Sequence, residues 1–468
     1  MKLFLSLSGA FFSSVLLLAP VLAQTVGSNS TSSQATDPGV RVGSVNAGQP
    51  ISALTPSQLE YFNDGFARFN EVDQVANGLG PTYNATSCGS CHAQPTTGGT
   101  SPRGDQYPNI GPNPQIAAAN AGGATNKLPS FLTADGPVRE ARFPFALSSN
   151  TTTSRTADGG VHALFTITGR SDAPGCTLSQ PNFEQMAELN NLIFRIPTPV
   201  FGAGLIENIP DAVILANMQA NGALKRHLGI TGHPNYSAND GTISRFGWKA
   251  QNKSIEIFTG EAYNVEMGVT NELFPDERGD PPTSCIFNPT PEDSTNFGAN
   301  GYLIVADTVE FSHFMRFLAP PAPSAQGIPN NPPASSLQNG QALFSQIHCD
   351  ACHSVSMQTG NSKLSPGLSN QIANLYSDLL VHNMGSGLAD NISQGSAGPD
   401  EFRTAPLWGL GQRIFFLHDG RSGPANGGLM NAIEQHASSG SEANGVSSQF
   451  NQLTSQQKQD LLNFLRSL

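Results

Sequence analysis

Ser345-Gln-Ile-His-Cys-Asp-Ala-Cys-His-Ser354 decides how the rest of the chain is read. Within it, Cys349-x-x-Cys352-His353 has the spacing of a c-type haem attachment motif. Two thiols three residues apart reach both vinyl groups of a haem, and the adjacent imidazole is placed to bind iron from the proximal side. The same pattern stands earlier, at Cys88-Gly-Ser-Cys91-His92. Zinc ribbons also use CxxC pairs but need a second Cys or His pair at short range; the nearest other cysteines are Cys176 and Cys285. A thioredoxin-like motif would open a helix in a strand–helix–strand setting, which neither site shows. The cofactor expectation is two covalently bound haem c groups. Cys88, Cys91, Cys349 and Cys352 would attach them, with His92 and His353 as proximal iron ligands.

Around the second motif, Leu337, Ala342, Leu343 and Ile347 place an apolar stripe on a helix over Ser335–Ile347. The chain closes with a second amphipathic helix in Leu453–Leu468, capped by Thr454 and presenting Leu461, Leu462 and Leu465. Helix, CxxCH and closing helix together look like a cytochrome c domain. Before the first motif, Thr55–Asn70 repeats the arrangement, with Leu59, Phe62, Phe66 and Phe69 on one face and Thr55 or Ser57 as cap. Thr308–Pro320, with Val309, Phe311, Phe314 and Phe317, would be its closing helix.

At 468 residues the chain has room for two or three domains. Met1–Ala23 carries Lys2, an apolar core and a small-residue end, which reads as a secretory signal peptide. No other stretch is long and apolar enough to cross a bilayer. Haem c is assembled outside the cytoplasm, so the bacterial periplasm is the expected address. There, the remaining Cys176 and Cys285 are expected to form a disulfide, two buried free thiols being the alternative. A net charge of −12 argues against nucleic acid and against an anionic membrane surface. With 48 Gly and 34 Pro the chain should be rich in loops.

The expected organisation is a flexible leader over residues 24–50, a first haem domain over 51–320, a Pro-rich linker over 321–334 and a second haem domain over 335–468. In the first domain, His162–Thr168 reads as a strand inside an insertion, and Phe183–Ile196 as helical. Phe194-Arg-Ile-Pro-Thr-Pro-Val-Phe-Gly-Ala-Gly204 and Phe402-Arg-Thr-Ala-Pro-Leu-Trp-Gly-Leu-Gly411 read as one element written twice. Phe246-Gly-Trp248 parallels Phe416-Leu-His418, and 266 − 248 and 436 − 418 both equal 18, which sets Glu266 in register with His436. The fold expectation is therefore mainly α: two cytochrome c-like domains related by duplication, with irregular and short β insertions in the first.

These residues resemble the bacterial di-haem cytochrome c peroxidases, most closely their di-haem oxidoreductase branch, also labelled thiol oxidoreductases. Gly78-Leu-Gly-Pro-Thr-Tyr-Asn84, Arg245-Phe-Gly-Trp-Lys-Ala250, Glu266-Met-Gly268, Tyr376-Ser-Asp-Leu-Leu380 and Phe416-Leu-His-Asp-Gly420 carry the resemblance, from about Thr55 to Leu468. It implies a peroxide-reactive N-terminal haem with a glutamate over its distal side, and a six-coordinate C-terminal haem that relays electrons. The relay's distal ligand is Met in those peroxidases and Tyr in the related enzyme that matures methylamine dehydrogenase. By position this chain puts His436 there, with Met384 as rival. A second departure is Trp248, which replaces a Trp-Asp-Gly run.

Glu266 is the candidate acid–base group, since cleaving a peroxide O–O bond needs a proton carried from one oxygen to the other. A solvated helix glutamate is the plain alternative, and Met267 beside it is a possible ligand that would close the site. Arg195 and Arg403 are candidate partners of haem propionates. Trp248 and Trp408 are candidates for lining a path between haems, or for core packing. His418 reads as a structural residue near the second haem, and His162, His227 and His233 as surface or core residues. The function expected is a periplasmic di-haem oxidoreductase of peroxidase type, reducing hydrogen peroxide or a related oxidant with electrons from a small redox protein. The alternatives are a plain di-haem electron-transfer cytochrome, and a di-haem oxidase acting on a protein or small molecule.

Overall fold

A computed structural model describes residues 34–43, 45–103, 113–147, 155–162 and 164–468. The expected signal peptide, and residues 24–33 of the expected leader, lie outside them. The described fold is mainly helical, with small antiparallel strand pairs.

Two helix pairs organise it. The helix Pro56–Phe69 starts where sequence logic puts it: Thr55 accepts from the Gln58 amide, Gln58 returns the bond, and Pro56 takes the first helical position. It packs along Asp307–Phe317. The buried stripe differs from expectation, because Phe62, Gly65 and Phe69 face inward while Leu59 and Phe66 are 42% and 40% exposed. Gly65 is the reason. A Cβ there would lie 2.2 Å from the Glu310 carbonyl oxygen, so two backbones meet at this point and the helix is turned to present the glycine.

The second pair, Ala334–Gln346 against Ser455–Ser467, repeats this geometry. A Cβ on Gly340 would lie 2.1 Å from the Asp460 carbonyl oxygen. Gly340 and Phe344 are buried, and Ala342, expected inside, is exposed. The closing helix follows its sequence closely: Thr454 and Gln457 form the capping box, and Leu461, Leu462 and Leu465 are buried. In each pair the phenylalanine one turn after the glycine touches a CxxCH imidazole edge. Phe69 lies 5.8 Å from His92 and Phe344 6.5 Å from His353, between ring centroids.

Within the chain that joins the helices of the first pair is a three-stranded antiparallel sheet in the order Arg155–His162, Glu140–Leu147, Ile193–Arg195. Phe183–Ile196, expected to be helical throughout, is a helix only over Phe183–Glu188. Asn190 then takes a positive φ of 52°, and the Asn191 amide bonds both the N–H and the carbonyl of Phe145, both at 2.8 Å. Those bonds turn Ile193–Arg195 into an edge of the sheet, with Glu140 opposite Arg195. The landmark segments form matching loops, since Phe246 bridges Asn252 and Phe416 bridges Ser422.

The segment expected to be a flexible leader is packed from its first described residues. Asp37 pairs with Arg466 at 2.7 Å, the Arg41 N–H donates to the Gly411 carbonyl, and the Ile51 N–H donates to the Phe317 carbonyl. The Pro-rich linker is also bound, as Ala322 and Ser324 donate to the Val45 and Ser467 carbonyls. Side chains that can pair with a neighbouring backbone override the low hydrophobicity of both stretches. Residues Ala35–Leu468 form one compact unit. Cys176 and Cys285 form a disulfide across 109 residues, as expected. None of the helices among the described residues is long and apolar enough to cross a membrane.

The two crossings generate a prediction. Gly65→Ala and Gly340→Ala each force backbone apart and are expected to cost about 1–3 kcal/mol in urea unfolding, the scale of core overpacking. Wild-type stability in either variant would show that the helices do not meet at that glycine.

Candidate functional site

Each CxxCH motif borders a cavity. The first cavity, about 1110 Å³ of open space, is lined by Cys88, Cys91, His92, Arg195, Trp248, Glu266 and Met267. The second, about 1480 Å³, is lined by Cys349, Cys352, His353, Arg403, His418, His436 and Met384. The structure thus gathers Glu266 with the first motif and His436 with the second, and it also leaves Met384 beside the second. Trp408 borders neither. Its indole packs over Gly202, where a Cβ would be 2.6 Å from the ring, so the core-packing reading applies and the cofactor role does not. Trp248 borders both.

The donor sets fit haem. All four motif cysteines are free thiols. Burial pushes Cys91 and Cys349 up to about 12 and raises Cys88 well above its ordinary value, so these thiols stay protonated. His92 Nδ1 bonds the Gly99 carbonyl at 3.1 Å and His353 Nδ1 bonds the Tyr376 carbonyl at 2.9 Å. A carbonyl can only accept, so Nδ1 holds the proton and Nε2 is left as a lone-pair donor suited to iron. Burial lowers both imidazoles to about 4, which keeps them neutral. His436 is arranged alike, its Nδ1 2.7 Å from the Ala432 carbonyl. His382 is not, because Asp378 and Glu442 hold its two nitrogens at 3.0 and 2.8 Å.

The second cavity also holds two buried guanidinium groups, Arg403 and Arg413, with no carboxylate paired to either among the described residues. Burial pushes both down to about 10, Arg413 adding to the effect on Arg403. Haem propionates would supply the missing anions. Arg195 is different from Arg403. It donates to Asp390 and Gln394, both at 2.7 Å, and only its buried Nε lacks a partner among the described residues.

Glu266 stands on the helix Ile255–Met267, whose Ser254 cap and Gly268 stop are both local sequence signals. Burial, with Glu140 and Glu261 adding and Arg142 opposing, pushes its carboxyl up to about 8. Glu140 and Arg142, two apart on one strand, share a face and pair with each other. They and Arg413 were missed in the sequence: alternation in Glu140-Ala-Arg142 was a usable signal, whereas nothing local marks Arg413. His418 lines the second cavity with its ring packed against two aromatic side chains. Its ring lies 4.3 Å from Phe402 and 6.4 Å from Trp248.

A protein-family model described as "Di-haem oxidoreductase, putative peroxidase" matches residues 145–468. No curated protein matches the chain. Among solved structures, a MauG-like protein associated with microbial copper homeostasis is 19% identical, covering 50% of this chain and 73% of that one, with a TM-score of 0.27. Hydrazine synthase of Kuenenia stuttgartiensis is 16% identical, covering 35% of this chain, with a TM-score of 0.22. The chain spans about half of that synthase chain's length, 55%. At these scores neither likeness carries an argument.

Mass spectrometry of the protein is expected to show two covalent haem additions, falling to one in the double variant Cys349→Ser, Cys352→Ser. A wild-type protein carrying one haem or none contradicts the donor-set argument.

Proposed function

The chain belongs to the di-haem oxidoreductase family, and from that premise we propose that it is an exported di-haem c oxidoreductase that reduces hydrogen peroxide or a related oxidant. The observation that carries the reading is the unlike equipment of the two cavities: a carboxyl in the first, a third carbonyl-oriented imidazole in the second.

His92 and His353 would hold the two irons, with Cys88, Cys91, Cys349 and Cys352 as the covalent attachments. Arg403 and Arg413 would pair with propionates of the second haem. His436, or Met384 as its rival, would complete the second iron's ligands. Haem, when bound, supplies the redox chemistry and the electrons for O–O cleavage. Glu266 supplies the proton handling: as carboxylate it accepts a proton from hydrogen peroxide, and as acid it returns that proton to the departing oxygen. The net reaction consumes two electrons and two protons and yields two waters. His418 stacks on Phe402 and meets Trp248, which borders both cavities, edge-on, and this chain of rings supports a short path between them.

The matched helix crossings and landmark loops support a duplicated origin for the two halves. Signal peptide, haem c and the Cys176–Cys285 bond together favour the periplasm, where a small redox protein would be the electron donor. One observation favours the electron-carrier reading instead. The Met267 thioether borders the first cavity, 3.8 Å from Cys88 Sγ, and as a second ligand opposite His92 it would close that iron. A high-spin ferric signal from one haem supports the enzyme; two low-spin haems support the carrier.

A pH profile tests Glu266. With its carboxyl near 8, the proton-accepting form is scarce below that pH, so kcat/KM for peroxide should rise with pH and level off above about 8. Glu266→Gln should remove that limb and lower the rate about 10²-fold or more. An unchanged profile in the variant removes Glu266 from the chemistry. For the relay, His436→Ala should convert a low-spin haem to high spin and Met384→Ala should not; the opposite pattern assigns the ligand to Met384.

A further inference from the structure

Three arginines border the first cavity: Arg139, Arg142 and Arg195. Two of them are already engaged. Arg142 pairs with Glu140 on its own strand. Arg195 donates from both Nη atoms, to Asp390 and Gln394, and its remaining Nε is buried out of reach. Arg139 is the exception. Among the described residues no carboxylate pairs it, and only its Nε makes a hydrogen bond, to the Asp419 carbonyl at 3.2 Å. The Asp419 carboxylate is itself taken by Arg421 at 2.6 Å.

The side chain is nonetheless held in place. Gln115, fully buried in the same wall, accepts from the Arg139 N–H at 2.9 Å and donates to the Arg139 carbonyl at 2.8 Å. The guanidinium carbon lies 4.9 Å from the Phe194 ring centroid, a cation–π contact that covers one face. With the Asp419 carbonyl fixing Nε, both Nη atoms are left as donors that bond none of the described residues. The side chain is half-buried, and burial lowers its guanidinium below the ordinary value, Asp419 opposing and Arg421 adding to the effect. A cation anchored in this way and short of an anion is a receptor for a carboxylate, whose two oxygens can meet both Nη donors at once.

We propose that Arg139, in place of Arg195, receives a propionate carboxylate of the haem held at Cys88, Cys91 and His92. The proposal rests on the reading of the first motif as a haem site and is independent of peroxide chemistry. A propionate comes tethered to a ring already fixed by two thioether bonds, so its carboxylate is delivered at high effective concentration. A free anion would have no such tether and would also face Glu140 and Glu261 on the same wall. The consequence is electrostatic. A positive charge beside the first haem favours reduced iron, whose charge is one unit lower. Removing it lowers the first haem's potential and leaves the second, beside Arg403 and Arg413, where it was.

Spectroelectrochemical titration of the holoprotein tests this without turnover, together with the propionate bending band in its resonance Raman spectrum. The double variant Cys88→Ser, Cys91→Ser identifies which signal belongs to the first haem. In Arg139→Gln the reduced-to-oxidised ratio of that haem at a fixed potential should fall about tenfold, and its propionate band should move. Arg139→Lys keeps the charge and loses the planar fork, so the ratio should stay within about threefold of wild type while the band still moves. Both variants should retain two covalent haems and an unchanged second potential. A shifted potential with an unmoved propionate band makes Arg139 a nearby cation only and overturns the pairing. An unchanged potential and band in Arg139→Gln overturn it as well, leaving the first haem itself intact. If Arg139→Gln does not fold, the band in Arg139→Lys decides. A wild-type protein with no haem at Cys88 and Cys91 defeats the haem reading, and the assignment falls with it.

Discussion

The close approach of two backbones at Gly65 and again at Gly340 is the constraint from which the rest of the molecule is built. Each glycine lets its helix sit against a carbonyl of the partner helix, and in doing so sets a phenylalanine one turn later against the histidine of a CxxCH motif. Phe314, on the partner helix of the first pair, is fully buried against Phe69, at 5.0 Å between centroids. Phe464 stands 5.7 Å from Phe344 in the second. A buried aromatic side chain contributes about 1.5–3 kcal/mol by area alone, so each CxxCH histidine is backed by a rigid apolar wall. Its carbonyl-bonded Nδ1 then fixes the direction of the ring.

The two motif regions are joined by reciprocal bonds. The Ile196 N–H donates to the His418 carbonyl at 2.7 Å, and the Arg403 N–H donates to the Trp248 carbonyl at 2.8 Å. Under this exchange lies a buried charge cluster: Asp390 bonds Arg195 at 2.7 Å and Lys249 at 3.1 Å. Burial alone would raise the Asp390 carboxyl, but Arg195 and Lys249 hold it below its ordinary value. Burial pushes Lys249 down to about 8, and the ammonium sits 4.1 Å from the Phe402 ring centroid. Charges this deeply buried add little net stability, yet removing one partner strands the other. The cluster therefore holds Phe402, His418 and Trp248 in one arrangement, between the two cavities.

Asymmetry enters through what faces each histidine. A strand inserted in the first half brings Glu140 and Arg142 to the wall that carries Glu266, where burial raises its proton affinity, Glu140 adding to the effect and Arg142 opposing it. The second cavity has His436, Arg403 and Arg413 on its lining, with Glu442 as its carboxyl. The same backbone scheme thus carries different side chains at its two sites.

Local chemistry in the chain was enough to identify the CxxCH sites, the capped helices at Thr55 and Thr454, the register that sets Glu266 against His436, and the pairing of Cys176 with Cys285. These depend on spacing, capping and redox setting, which are written in consecutive residues. The buried stripes of the two opening helices were misjudged, because the apolar pattern does not reveal that a glycine must meet a carbonyl more than a hundred residues away. Phe183–Ile196 was read as helix for a similar reason: its strand pairing depends on Asn191 finding Phe145. Trp408 looked equivalent to Trp248 in the sequence, and only packing against Gly202 separates them. The CxxCH motifs were legible because their residues are contiguous. The groups that line the same cavities from elsewhere in the chain, Arg413 and Arg142 among them, are brought together from distant segments, and that assembly belongs to the tertiary structure alone.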